Sequence, residues 1–371
     1  MNTIPIPRRK FAHLLAAGAA VAVVRPAISF AKQSQHATGT AGIVRLSANE
    51  NPYGPSAKAH EAMKNAHSMC NRYPDEANDV LIDKIAKINN VNREQVVLGD
   101  GSSEILKLCA ETFTGPTQGK LIAADPTFEA ILEYAKANGA EVVKVPLTSS
   151  FAHDLPKMSG AARGGLIYIC NPNNPTASIT PKNDLREFTA NAPRETMILV
   201  DEAYIHYADS PDYESMIPLV KDHPNLIVAR TFSNIYGMAG LRCGYCLAQP
   251  ETIKRMHPFQ MWDSVNIMAL AAASASLDDV DQVTNGQRLN SEVKKFVTGG
   301  LDKMGYKQIP SQANFIMIDV KRPVVPLIQA LKQRNVQVGR LFPALPNHMR
   351  VTLGKKAEME TFLSAFRQVT A

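Results

Sequence analysis

The chain has 371 residues, 45% hydrophobic and 20% charged, with a formal net charge of +6. That length exceeds a minimal domain and provides for one large α/β domain plus a smaller one, each able to bury a core. Of 40 Lys and Arg, only Arg8, Arg9, Lys10 and Arg25 fall in the acid-free stretch 1–31; the rest sets 36 cations against 34 anions, about +2, which excludes a polyanion-binding surface and a nucleic-acid partner.

The chain opens on Pro7-Arg8-Arg9-Lys10-Phe11, an uncharged run Leu14–Val24, and Ser29-Phe30-Ala31. A basic start, a short apolar run and a small-residue end make a signal peptide. Eleven weakly apolar residues are too few to span a bilayer as a mature helix. The arginine pair followed by Lys-Phe resembles the twin-arginine signal, with His13 where lysine is more usual. The expectation is therefore a leader over 1–31, cleaved after Ala31, export to the periplasm, and no stable membrane insertion afterwards. A chance basic start or an uncleaved amphipathic extension is the alternative.

Residues 32–45 are rich in Ser, Gln, Thr and Gly and read as an arm rather than a core element; the whole arm is placed at 32–52. Helical spacing follows over Ala57–Ser68 and Asp79–Ile88. Val96–Leu98 is a short buried strand running into Gly99-Asp100-Gly101-Ser102-Ser103-Glu104, and Ile105–Phe113 is helical. Strands are expected at Lys120–Ala124, Glu141–Pro146, Gly165–Cys170, Met197–Val200, Leu226–Thr231 and Gly244–Ala248. Helices over Phe128–Asn138 and Pro181–Asn191 separate some of them. Near-continuous apolar strands with intervening helices indicate a mostly parallel sheet covered on both faces. After Pro258 one long helical stretch, Val265–Phe296, is followed by strands near Asn314–Asp319, Val336–Gly339 and His348–Leu353 and a helix at Ala357–Val369. The domain expectation is a large domain at 53–262 and a small α+β domain at 263–371.

Five scattered cysteines include Cys243 and Cys246 at C-x-x-C spacing, but no second pair completes a metal site. Small packing residues are the favoured reading, and no metal is expected.

Several segments carry the chemistry. Gly99–Glu104 lies between strand and helix, where free backbone N–H groups and small residues form a phosphate cup; an ordinary Ser-capped turn would look the same. Asn171-Pro172-Asn173-Asn174-Pro175-Thr176 follows an apolar strand, and alone it is a Pro/Asn turn. Asp201, in Val200-Asp201-Glu202-Ala203-Tyr204, ends another strand, where α/β folds bind ligands, or else caps a helix. A Gly-rich segment follows Arg230-Thr231-Phe232-Ser233-Asn234. Near the C-terminus, Arg350 lies in His348–Gly354.

Ser47-Ala48-Asn49-Glu50-Asn51-Pro52-Tyr53-Gly54, Asn71-Arg72-Tyr73-Pro74, Asn174-Pro175-Thr176, Asp201-Glu202-Ala203-Tyr204, Ser233 with Gly237-x-Ala239-Gly240-Leu241-Arg242, and Arg350-Val351-Thr352 occur together in one order. In this the chain resembles the histidinol-phosphate aminotransferase branch of fold-type-I enzymes dependent on pyridoxal 5'-phosphate (PLP), from about Val44 to the end. The resemblance implies an α/β large domain with a mostly parallel mixed sheet and a smaller α+β domain. It implies PLP as cofactor, with its phosphate held by the Ser102 and Ser103 amides, Ser233 and Arg242, and by Tyr73 reaching over from a second subunit, hence a homodimer. Phe128 would stack on the pyridine ring, Asn174 and Tyr204 would bond its phenolic oxygen, and Asp201 would pair with its nitrogen. Arg350 would bind the substrate carboxylate, Arg340 a distal group such as phosphate, and Tyr53 would also touch substrate. The implied reaction moves an amino group between an amino acid such as glutamate and a 2-oxo compound of histidinol-phosphate or aromatic type.

Two positions depart from the family pattern. Asn234 stands where the family keeps its catalytic lysine, and an amide is neither nucleophilic nor basic. Three readings stay open: a disabling change in a competent aminotransferase, a lysine-less PLP-binding protein or sensor, or a different chemistry with another base. Ala177 stands where Gly is usual, and a positive φ there would be strained.

Overall fold

The computed structural model describes residues 42–371, and the leader expected over 1–31 and most of the polar arm lie outside the described residues. The central sheet has seven strands in the order β2-β8-β7-β6-β5-β3-β4. They are β2 (Val96–Gly99), β3 (Leu121–Asp125), β4 (Val142–Pro146), β5 (Leu166–Cys170), β6 (Met197–Asp201), β7 (Leu226–Thr231) and β8 (Gly244–Leu247). β8 runs antiparallel to both neighbours, β2 and β7, while β7, β6, β5, β3 and β4 pair in parallel. Both faces are covered: one core layer includes Ile169, Val200 and Val228, the other Tyr168, Leu199 and Ala229 from the same strands. This accounts for strands that read as unbroken apolar runs. It also sets Gly99, Asp201 and Thr231 at strand ends, from which the chain turns into the loops that carry the site.

A second sheet, order β12-β10-β9, joins β9 (Gln308–Ile309), β10 (Phe315–Asp319) and β12 (His348–Thr352) antiparallel. The helices Val280–Lys303, Val324–Lys332 and Lys356–Thr370 supply Val297, Leu327 and Phe366 to the core beside it.

The structure corrects the expected arm. Val44–Leu46 forms β1, which pairs in parallel with β11 (Val336–Val338), and Leu46 is fully buried in the core beside the small sheet. Three residues between polar neighbours give no periodicity, and the pairing partner lies almost 300 positions away. The long helix expected at Val265–Phe296 is two, Ile267–Leu277 and Val280–Lys303. Asp278 and Asp279 interrupt it: aspartate favours caps over helix interiors, and Asp279 takes up Lys58 at 3.2 Å. The helix expected from Phe128 begins at Ala130, which leaves Phe128 in the loop after β3. The short helices Leu155–Ala161, Pro250–Met256 and Val324–Lys332 and strand β9 were not anticipated. No helix among the described residues is long and apolar enough to cross a membrane.

Candidate active site

Six chain segments meet here: Ser47–Asn49, Gly101–Ser103, Asn174, Asp201–Tyr204, Thr231–Arg242 and Arg350. β6 delivers Asp201, whose buried carboxylate accepts the Tyr168 hydroxyl at 2.9 Å and the Ala203 N–H at 3.1 Å. Three residues after Asp201, the Tyr204 hydroxyl accepts from the Asn174 amide at 3.3 Å and from the Asn49 amide at 3.1 Å. Arg350, from β12, donates to the Asn174 side-chain oxygen and to the Ser47 carbonyl, both at 2.7 Å. Its Nε is buried without a partner, so the guanidinium retains a donor for a ligand. Burial lowers Arg350 to about 10, and it stays cationic at neutral pH.

Gly101, at φ 72°, opens the 13-residue helix Gly101–Phe113 and packs under Arg242. A Cβ there would lie 2.1 Å from Arg242 Nη2, so only glycine lets the guanidinium lean over the helix N-terminus. Arg242 is itself in the left-handed region, donates to the Ala239 carbonyl at 2.9 Å, and stands 3.5 Å from the Ser103 hydroxyl. Helix N–H groups, two serines and a guanidinium together form an anion cradle. Ser233 lies in the bend after β7, its hydroxyl 2.8 Å from that of Thr231.

Asn234 follows it and is 9% exposed; its amide donates to the Ala203 carbonyl at 2.9 Å. Asn234 thus touches the Asp201–Tyr204 turn. Ala177 adopts φ 59° while fully buried, the strain expected of a residue placed where glycine is usual.

Among the described contacts, none of the remaining expected residues hydrogen-bonds to this cluster. Phe128 is partly buried beside the second core layer. Tyr73 is 83% exposed. Tyr53 is also exposed, with the Lys355 ammonium 5.8 Å from its ring centre; among the described contacts nothing joins it to Arg350. Arg340 is engaged by Glu129. Sequence reasoning missed Asn49 and Tyr168 as site residues. Asn49 lay in a motif already quoted, at φ 58°, with its N–H on the Thr352 hydroxyl at 2.9 Å and its carbonyl taking the Asn314 amide at 2.9 Å. Tyr168 carried no such signal, being one apolar-looking residue inside a strand.

Burial dominates at Asp201 and pushes its pKa up to about 6, against the pull of its bonds to Tyr168 and Ala203. The folded protein therefore holds a proton that the unfolded chain releases from about pH 4 upward. This group's contribution to stability without ligand is full below that pH and is lost as pH rises through 6. A cationic ring beside the carboxylate needs it ionised, so the affinity for PLP should fall below pH 6, by up to about tenfold per unit. PLP titrations from pH 5 to 8 should show that fall, and Asp201→Asn a weaker but flatter profile; equal slopes in both would count against the assignment.

A doubly covered, mostly parallel sheet with a buried acid at one strand end and an anion cradle at another defines the fold-type-I class of PLP-dependent transferases. The chain belongs to that family: the model for "Aminotransferase class I and II" matches residues 41–366. Within it, the chain is like the histidinol-phosphate aminotransferases. It is 37% identical to that of Symbiobacterium thermophilum over 90% of this chain and 92% of the other. It is 36% identical to that of Moorella thermoacetica over 92% and 89%. A crystal structure from Erwinia carotovora atroseptica superposes with a TM-score of 0.85 at 30% identity, over 88% of this chain and 95% of that one. The histidinol-phosphate aminotransferase of Sinorhizobium meliloti, solved with PLP, shares the fold at a TM-score of 0.82 and 24% identity, over 88% and 91%.

The residues present fit PLP. A buried carboxylate without a cation, a glycine-floored anion cradle, and a tyrosine hydroxyl flanked by two amides are complementary to its ring nitrogen, phosphate and phenolic oxygen.

Proposed function

We propose that the chain is an aminotransferase of histidinol-phosphate or aromatic amino acid type that, with Asn234, binds PLP and amino acid but does not turn over. The observation that carries this reading is the Tyr204–Asn174–Arg350 chain of hydrogen bonds on the turn that follows buried Asp201, with Asn234 bonded to the Ala203 carbonyl of that turn. Bound there, PLP would supply a protonated ring that draws electrons from the substrate's α-carbon. The protein's part is to keep the ring protonated through Asp201, to hold the phenolic oxygen with Tyr204 and Asn174, and to seat the phosphate on Ser102, Ser103, Ser233 and Arg242. Arg350 would grip the substrate carboxylate with two parallel hydrogen bonds. No proton can be moved by an amide at position 234.

A second reading, a PLP-binding protein or sensor without turnover, is favoured by the fit of Asn234 itself. Its amide is buried and hydrogen-bonded rather than left as an orphan. We further propose export by the twin-arginine route, a step in which folded cargo could carry its cofactor across. A homodimer is proposed too, supported by exposed Tyr73 and by Trp262, 92% exposed next to the exposed Met261. The division near residue 262 into cofactor-binding and small domains is part of the same proposal.

The test is a PLP titration of the chain as written, followed by an amino-acid panel. PLP should bind in the micromolar range or tighter, and the added amino acids should stay unconverted. Absence of PLP binding would remove both readings.

A further inference from the structure

Glu129 follows Phe128 and immediately precedes the helix Ala130–Ala137. Its carboxylate accepts from Arg340 Nη2, 211 residues away, in the segment that joins β11 to β12. Arg340 also donates to the Leu341 carbonyl at 2.9 Å and lies over the Phe342 ring, 4.5 Å from its centre. Arg350 approaches the same ring to 5.2 Å. The two arginines thus share Phe342, which places Arg340 and Glu129 beside the residue proposed to hold the substrate carboxylate. The charges of both reach Arg350 itself, Arg340 disfavouring its cationic form and Glu129 favouring it.

An ordinary surface ion pair is the plain account of this contact, since both side chains are 44% exposed and such pairs contribute little to stability. Its position next to Arg350 gives it a second consequence. An arginine already neutralised by a carboxylate offers no free charge to an incoming anion, which would have to break the pair and then sit beside Glu129. A neutral or cationic group meets no such obstacle, and Glu129 attracts a cation.

We infer that Glu129 is a specificity-determining residue, which turns the distal end of the substrate site away from anionic groups such as a phosphate or carboxylate and toward amino acids with neutral or cationic side chains. This rests on the proposed role of Arg350 as the carboxylate anchor, and it narrows the substrate class of that site.

Calorimetry on the PLP-loaded full chain tests it without requiring turnover. Two ligand pairs differ mainly in distal charge: L-glutamate against L-glutamine, and O-phospho-L-serine against L-serine. Glu129→Gln should tighten L-glutamate and O-phospho-L-serine by about tenfold while L-glutamine and L-serine shift less than about twofold. Adding Arg340→Gln should cancel that gain, because the freed arginine is what receives the anion. If all four ligands move together, or none moves, or the gain survives loss of Arg340, the inference is overturned. A separate Arg350→Gln arm reads the underlying assignment: L-glutamine binding unchanged there would remove the carboxylate anchor, whatever Glu129 does.

Discussion

Asn234→Lys is expected to raise glutamate-dependent amination of imidazole and aromatic oxo compounds from background by at least about 10²- to 10⁴-fold, the range of a positioned acid–base group. The argument is local. Position 234 is in the bend after β7, next to Ser233, and its side chain already reaches the Ala203 carbonyl, between Asp201 and Tyr204. A lysine there would bring an amine that is both a nucleophile and a base to the turn that holds the cofactor's expected partners. Borohydride should then fix PLP covalently to residue 234 in the lysine variant and leave the chain as written unlabelled. Turnover by the variant alone would establish the scaffold as competent and Asn234 as the disabling residue. If neither form turns over while both bind PLP, the binding-protein reading takes precedence.

The largest loss of stability is expected at Glu202. It is 1% exposed and accepts from Arg230 Nε at 3.0 Å and Nη2 at 2.9 Å, from the Ser215 hydroxyl at 2.9 Å and from the Met216 N–H at 2.6 Å. Glu202→Ala would strand the mostly buried Arg230 cation and leave the Met216 N–H unpaired. Removing one partner of a buried pair costs about 3–5 kcal/mol. Denaturant unfolding should show the unfolding free energy fall by that amount, with a lower midpoint at an unchanged slope. Replacing both partners, Glu202→Leu with Arg230→Met, should restore much of the loss, because no uncompensated charge remains. A cost under about 1 kcal/mol for the single change would show that the pair is not effectively desolvated. Glu202 sits between Asp201 and Ala203, so PLP affinity should weaken in parallel with stability.

The strand pattern was legible because the parallel strands are buried on both faces. Leu166–Cys170 and Leu226–Ala229 are unbroken apolar runs, and no partner was needed to recognise them. The helix after Gly101 was legible from its glycine–serine entry, and Asp201 from its place at a strand end. The resemblance in motif order carried PLP and the roles of Asn174, Tyr204, Arg242 and Arg350, and the structure brings Asn174, Tyr204 and Arg350 into one bonded group.

Sequence alone therefore determined the elements whose burial or turn chemistry is written in neighbouring residues, and the cofactor class. Tertiary structure decided what depends on partners far along the chain. Asn49 meets Tyr204 across 155 residues, and Glu129 meets Arg340 across 211. Val44–Leu46 becomes a strand only because Val336–Val338 is there to pair with it. A short polar or mixed segment has no periodicity of its own, and its conformation is set by where its hydrogen-bonding groups find partners.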